Sequence, residues 1–194
     1  MTQNELERWN FLKVAPWVGK QFDTATPKIL IVGHSTYIKE PHGLSDEAIR
    51  SWLHADTENV RNNTFTYKYW TNILSALRGS NESNETIRKE WDNYALVNYI
   101  QEIQSPGLNQ ATKNDYVKAR EQFKKVIQEL NPTHALFFTS AAFDDLREKE
   151  KASKADSFSM DSGGKKINVI RLSHPSWYFS WRRAHEKIKT FLSE

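Results

Sequence analysis

Four short apolar runs, "ILIVG" at 29–33, the apolar centre of "YALVNYI" at 94–100, "THALFF" at 133–138 and "INVIRL" at 167–172, are separated by stretches long enough to hold helices. Such alternation constrains the fold more than any other feature of the chain. Neighbouring parallel strands need a long crossover, usually a helix, to return to the same edge of the sheet. The chain is therefore expected to be α/β: a three-layer α/β/α sandwich with a short, mainly parallel four-stranded central sheet.

The first run, opened by Pro27 and closed by Gly33, is apolar throughout, as a strand buried on both faces must be. Leu6, Trp9, Leu12 and Val14 recur at near-helical spacing over residues 5–18, ended by Pro16 and Gly19, which predicts an opening amphipathic helix. Further helices are expected over "DEAIRSWLHA" after Ser45, across "TYKYWTNILSAL" to Gly79 at a C-terminal cap, and over "SNETIRKEW". Thr112 and Asp115 have capping-box spacing for a helix to Leu130, where Asn131 and Pro132 stop it. "SAAFDDLREKE" from Ser140 and a final segment from about Arg182 to Leu192 complete the helical set. Between them, Gly163 and Gly164 supply the positive φ that a hairpin joining "DSFSM" to "INVIRL" requires.

A length of 194 residues suits one domain, spanning 1–194. The absence of Cys excludes disulfides and thiolate metal sites. The residues after Met1 do not read as a charged-then-apolar leader, and the longest apolar runs fall far short of the roughly 20 residues that cross a bilayer. A cytoplasmic monomer with no membrane partner is expected. The net charge of +3 permits a polyanionic partner without requiring one. Arg182, Arg183, Lys187 and Lys189 crowd the last segment, as either a basic docking surface or a solvated helix face. His34, His42 and His54 match no metal-ligand spacing, no GxSxG elbow surrounds Ser35 or Ser140, and no Gly-rich phosphate loop follows the first strand. Neither a metal nor an organic cofactor is expected.

In open α/β sheets, ligands bind in the crevice outside the carboxyl ends of the strands. That rule selects Gly33, His34, Ser35, Thr36 and Tyr37 after the first run, Asn98 with Tyr99 and Gln101 at the second, Thr139 and Ser140 at the third, and His174, Pro175 and Ser176 at the last.

"GHSTY" after the first strand, "NYI" closing the second and "HPS" after the last resemble, in order and position, the motifs of the uracil-DNA glycosylase superfamily. The resemblance spans nearly the whole domain and implies a uracil-DNA glycosylase-like fold and DNA, single- or double-stranded, as partner. It further implies that His174 donates to a carbonyl oxygen of an extruded base and stabilises the anion left when the glycosidic bond breaks. Pro175 and Ser176 would stiffen the loop and touch a backbone phosphate. Asn98 would read the base edge with an amide that both donates and accepts. Gly33 would allow close approach, and Tyr37 would crowd out bulky base substituents. Trp177, Tyr178 and Phe179 would offer an apolar wedge for the gap left in the stack, and Arg182 and Arg183 would meet phosphates. The family's first motif has an Asp that positions water; here that position is Ser35, which cannot act as a carboxylate base, and His34 is the alternative base.

Other roles are open to the same residues. The three aromatics could pack the last helix onto the sheet, His174 could cap that helix, and Asn98 could form an Asx turn at the strand end. The function expected is hydrolysis of the N-glycosidic bond of a damaged or deaminated base. The alternatives are a non-catalytic nucleic-acid or nucleotide binder on the same fold and a phosphate-binding metabolic enzyme on a doubly wound sheet.

Overall fold

The computed structural model describes residues 7–37, 68–80, 90–104, 111–153, 155–176 and 178–193. The helix expected over "DEAIRSWLHA", most of "SNETIRKEW", His42, His54 and Trp177 lie outside the described residues.

Strands β1 (Trp17–Val18), β2 (Ile29–Gly33), β3 (Tyr94–Asn98), β4 (His134–Phe137), β5 (Ser157–Ser162) and β6 (Lys165–Arg171) form one sheet in the order β1-β3-β2-β4-β6-β5. The central four, β3, β2, β4 and β6, are mutually parallel, whereas β1 and β5 pair antiparallel at the two edges. The sheet is thus six-stranded and mixed rather than four-stranded. Its fifth strand is the hairpin partner of β6, turned through Gly163 (φ +64°) and Gly164 (φ +79°). The sixth, β1, stands where the opening helix was expected to end. Residues 9–11 are turn, and Trp17 and Val18 pair with Leu96 and Ala95 instead of continuing a helix. Pro16 cannot sit inside a helix, and the edge of β3 offers unpaired backbone groups just beyond it.

The period-two alternation of the strands decides which residues face which helices. Leu30, Val32, Ala95, Val97, Ala135 and Phe137 lie in one apolar cluster with helices α2 (Lys113–Leu130) and α3 (Ser140–Lys149). Ile29, Ile31, Leu136, Phe138, Ile170 and Leu172 lie in the other, under α1 (Lys68–Arg78) and α4 (Trp181–Leu192). Helices therefore cover both faces, as a parallel sheet needs. α2 starts at a capping box, in which Thr112 accepts from the Asp115 N–H while the Asp115 carboxylate accepts from the Thr112 N–H at 2.7 Å. It ends at Asn131, which takes the left-handed conformation (φ 49°) that lets the chain turn into Pro132. α1 ends at Gly79 (φ +74°), where any side chain would strike the ring of His185 on α4. His185 Nδ1 donates to Ala76 O (2.9 Å), fastening α1 to α4 across this cap.

The last turn of the sheet is held by ions. Arg171, at the end of β6, pairs with Asp156 and reaches Asp144 on α3 at 3.5 Å, and Lys187 on α4 donates to Asp156 at 2.7 Å. Lys187 is therefore a structural cation within the basic final segment, while Arg182, Arg183 and Lys189 face solvent.

Candidate functional site

Because β2, β3, β4 and β6 run parallel, their carboxyl ends share one rim, where the four chosen loops emerge. Gly33 lies directly opposite Asn98 in the β2–β3 register, and the two loops stay paired beyond the sheet. The Tyr99 and Ile100 N–H groups donate to Gly33 O (3.0 Å) and His34 O (2.8 Å), and a short bridge joins Tyr37 to Gln104. A methyl group added to Gly33 would overlap Asn98 Oδ1 and lie 3.3 Å from Tyr69 Oη. Glycine is required there because an amide and a phenol converge on its Cα.

The half-buried Asn98 side chain does not fold into an Asx turn. Its Nδ2 donates across the strand ends to Thr36 Oγ1 (2.9 Å), while the backbone carbonyl of Asn98 accepts from Gln101 Nε2 (2.7 Å). Among the described residues, one amide hydrogen and Oδ1 have no further partner. Tyr69, at the start of α1, brings its Oη near Gly33 and holds its ring centroid 5.4 Å from that of His174 on the other side of the rim. Burial pushes the Tyr69 phenol up to about 12, so it stays protonated at neutral pH.

His174 does not cap α4. Ser180 does so, accepting from the Arg183 N–H. The imidazole of His174 makes no hydrogen bond among the described residues and sits in a loop braced on both sides. Ser176 N–H donates to His174 O (2.8 Å), and Pro175 O accepts from Asn72 of α1 (3.4 Å). Pro175 is buried and Ser176 exposed.

On the opposite side, His34 is held at both ring nitrogens. Nδ1 lies 3.0 Å from Ser35 Oγ and 3.3 Å from Tyr37 Oη, and Nε2 lies 3.1 Å from Tyr116 Oη of α2. Burial lowers the pKa of His34, and the nearby His174, whose positive charge would oppose its own, lowers it further. Desolvation also lowers His174. Both rings are therefore neutral at pH 7, each with one N–H and one lone pair.

The aromatics after "HPS" divide. Phe179 packs inward, its ring 6.2 Å from that of Phe138, whereas Tyr178 is wholly exposed. Arg182 stacks over the Trp181 ring at 4.5 Å with its outer face to solvent, and Arg183 is also exposed. Of the two residues chosen in the third loop, Thr139, at the N-cap position of α3, is buried, whereas Ser140, the first residue of that helix, is exposed.

Three groups at or behind this rim were not chosen from the sequence: Tyr69, Tyr116 and the Asp145–Arg120 pair behind Tyr116. There Tyr99, 1 % exposed, donates to Asp145 Oδ2 (2.8 Å), and Arg120 makes two hydrogen bonds to the same carboxylate at 2.9 and 2.7 Å. The sequence holds one cue to it, since Tyr116 and Arg120 are four residues apart and share a face of the capped helix.

The neutral histidines imply a pH dependence. His34, His134 and His174 all have lowered pKa values in the folded protein, so the unfolded chain binds protons more readily. Stability is then undiminished above the unfolded value of about 6.5 and declines as pH falls below it, levelling once the folded histidines also protonate. Urea unfolding midpoints at about pH 7.5 and 5 should differ, and the difference should shrink when His34, His134 and His174 are together replaced by Gln. Equal midpoints in the wild type would contradict the shifts.

Among the described residues no cluster of three His, Asp or Glu side chains is arranged to hold a metal, and no helix is long and apolar enough to cross a membrane. No protein-family model matches the chain, nor does any curated protein.

Proposed function

We propose that the chain is a base-excision protein of the uracil-DNA glycosylase-like kind, on that family's α/β/α fold, which hydrolyses the N-glycosidic bond of a damaged or deaminated base turned out of a DNA strand. The observation that carries this reading is the pair of polar groups on one rim, Asn98 opposite Gly33 and His174 beside Tyr69. Among the described residues, the amide of Asn98 retains donor and acceptor capacity beside a glycine that admits close approach, and the imidazole of His174, neutral and in ring contact with Tyr69, makes no hydrogen bond.

In the proposed reaction the oxygen of a water forms a bond to C1′ of the sugar as the C1′–N bond breaks. The electron pair of that bond leaves on the base. An N–H of His174 donates to a carbonyl oxygen of the base, where the negative charge develops, and Asn98 fixes the base by its edge. His34 takes the water proton, since Ser35 has no carboxylate to do so, and returns it to solvent or to the departing base. Ser176, Arg182 and Arg183 contact phosphates, and Trp177 and Tyr178 fill the gap in the stack.

Ser35 also favours a second reading, in which the pocket binds nucleic acid or nucleotide without catalysis. A strand containing uracil or hypoxanthine, incubated with the protein and then treated with alkali, separates the two. Cleavage at the modified position is expected. Strand binding that weakens with salt but yields no cleavage would overturn the catalytic reading in favour of the binder, and affinity for small phosphates alone, indifferent to strand length, would overturn both.

A further inference from the structure

The hydroxyl of Tyr69 stands among the groups assigned to the base, yet nothing among the described residues uses it. Its oxygen lies 3.3 Å from the point at which a methyl group on Gly33 would sit, and Asn98 Oδ1 crowds the same point. The ring lies against His174 and stands edge-on to Trp70, with centroids 4.7 Å apart at an interplanar angle of 87°. The hydroxyl makes no hydrogen bond among the described residues. A largely desolvated phenol ordinarily has a partner, so one without any beside a candidate ligand pocket points to a partner that arrives with the ligand.

We infer that the Tyr69 hydroxyl is a second donor to the leaving base: it hydrogen-bonds a carbonyl oxygen at the edge that Asn98 reads. This rests on the glycosylase reading of the same rim and extends it from one neutral donor, His174, to two. As the C1′–N bond breaks, negative charge spreads over the oxygens of the base, so a fixed O–H meets more charge in the transition state than in the bound substrate. Burial pushes the pKa of Tyr69 up to about 12, so the phenol keeps its proton and supplies a hydrogen bond rather than the proton itself. Its place is held before any ligand arrives. Tyr69 and Asn72 are one turn apart on α1, Asn72 Nδ2 donates to Pro175 O in the loop that carries His174 (3.4 Å), and His185 of α4 fastens the far end of the same helix at Ala76 O. The helix that bears the phenol is thus tied to the loop that bears the imidazole. The ligand this arrangement suits is a base with a ring carbonyl, such as uracil or hypoxanthine.

Carbon-13 NMR of ring-labelled tyrosine tests the contact directly, with Tyr69→Phe assigning the signal. Titrating the wild type with uracil should move the Cζ resonance of Tyr69 as its hydroxyl becomes a donor, and Tyr69→Phe should bind uracil about fivefold more weakly. In single-turnover excision from a uracil-containing strand, the same variant should lose about tenfold to a hundredfold in rate with strand affinity unchanged. Its melting temperature should match that of the wild type, since the ring keeps its contacts and no group among the described residues loses a hydrogen bond. An unmoved resonance with uracil bound, or excision at the wild-type rate by Tyr69→Phe, would overturn the inference even though bases are excised. A melting temperature lowered by several degrees would assign the hydroxyl to the fold and overturn it as well. Uracil that shifts the Tyr69 signal in a protein that excises nothing would remove the glycosylase reading and leave the contact standing. Neither binding nor excision of uracil would overturn both.

Discussion

His174→Ala should reduce excision by about 10²–10³-fold while leaving the melting temperature within a degree or so of the wild type. The imidazole has no hydrogen bond to the rest of the protein among the described residues, and its loop is held by the Ser176 N–H and by Asn72 rather than by the ring. Truncation therefore removes a donor without leaving a buried partner unsatisfied. In the proposed reaction the loss should fall on kcat more than on KM, because there the charge that His174 would meet exists only once the glycosidic bond is breaking. Single-turnover cleavage of a modified strand, with circular dichroism melting as control, measures both quantities. An unchanged cleavage rate would remove His174 from the chemistry. A large fall in melting temperature would mean that the ring contributes to the fold through its contact with Tyr69.

Asp145→Ala should have the largest effect on stability. Asp145 receives the hydroxyl of a buried tyrosine and two hydrogen bonds from Arg120, and it ties α3 to α2 and to the end of β3. Its side chain is 13 % exposed and that of Arg120 is 27 % exposed, so the pair is screened far less than a surface ion pair. Truncation leaves the Tyr99 hydroxyl buried without an acceptor and the guanidinium without its counter-ion, at a cost of about 2–4 kcal/mol. Asp145→Asn keeps an oxygen for Tyr99 and should lose about half as much. Urea unfolding with an unchanged m-value is the measurement. A loss below about 1 kcal/mol would show that the cluster behaves as an ordinary surface ion pair.

Much of the architecture was legible in local patterns. The uniformly apolar "ILIVG" is β2, buried on both faces as read. The Thr112–Asp115 box and the Asn131–Pro132 stop bound α2, and the double glycine makes the hairpin. Each of these rests on interactions within a few residues or on a single residue's allowed backbone angles. The opening segment was misread for the complementary reason. Leu6, Trp9 and Leu12 have helical spacing, but Trp9 and Leu12 reach the core through turns, and Trp17–Val18 become a strand only because the edge of β3 is there to pair with. A two-residue strand has no periodicity of its own.

The site divides the same way. That polar residues follow the ends of strands could be read along the chain, and the rule for parallel sheets then gathered Gly33, Asn98 and His174 onto one rim. Which of them keeps unspent hydrogen-bonding capacity could not be read, because that depends on residues distant in sequence: Thr36 on Asn98, Tyr69 beside both Gly33 and His174, and Tyr116 on His34. By itself, then, the sequence determined the α/β alternation, the caps and turns, and the loops from which chemistry could come, since these follow from backbone sterics and the burial of apolar faces. Only the tertiary structure decided the six-stranded mixed sheet, the bracing of the rim and the neutral state of its histidines. Pairing partners, hydrogen-bond acceptors and desolvation are all supplied from across the fold.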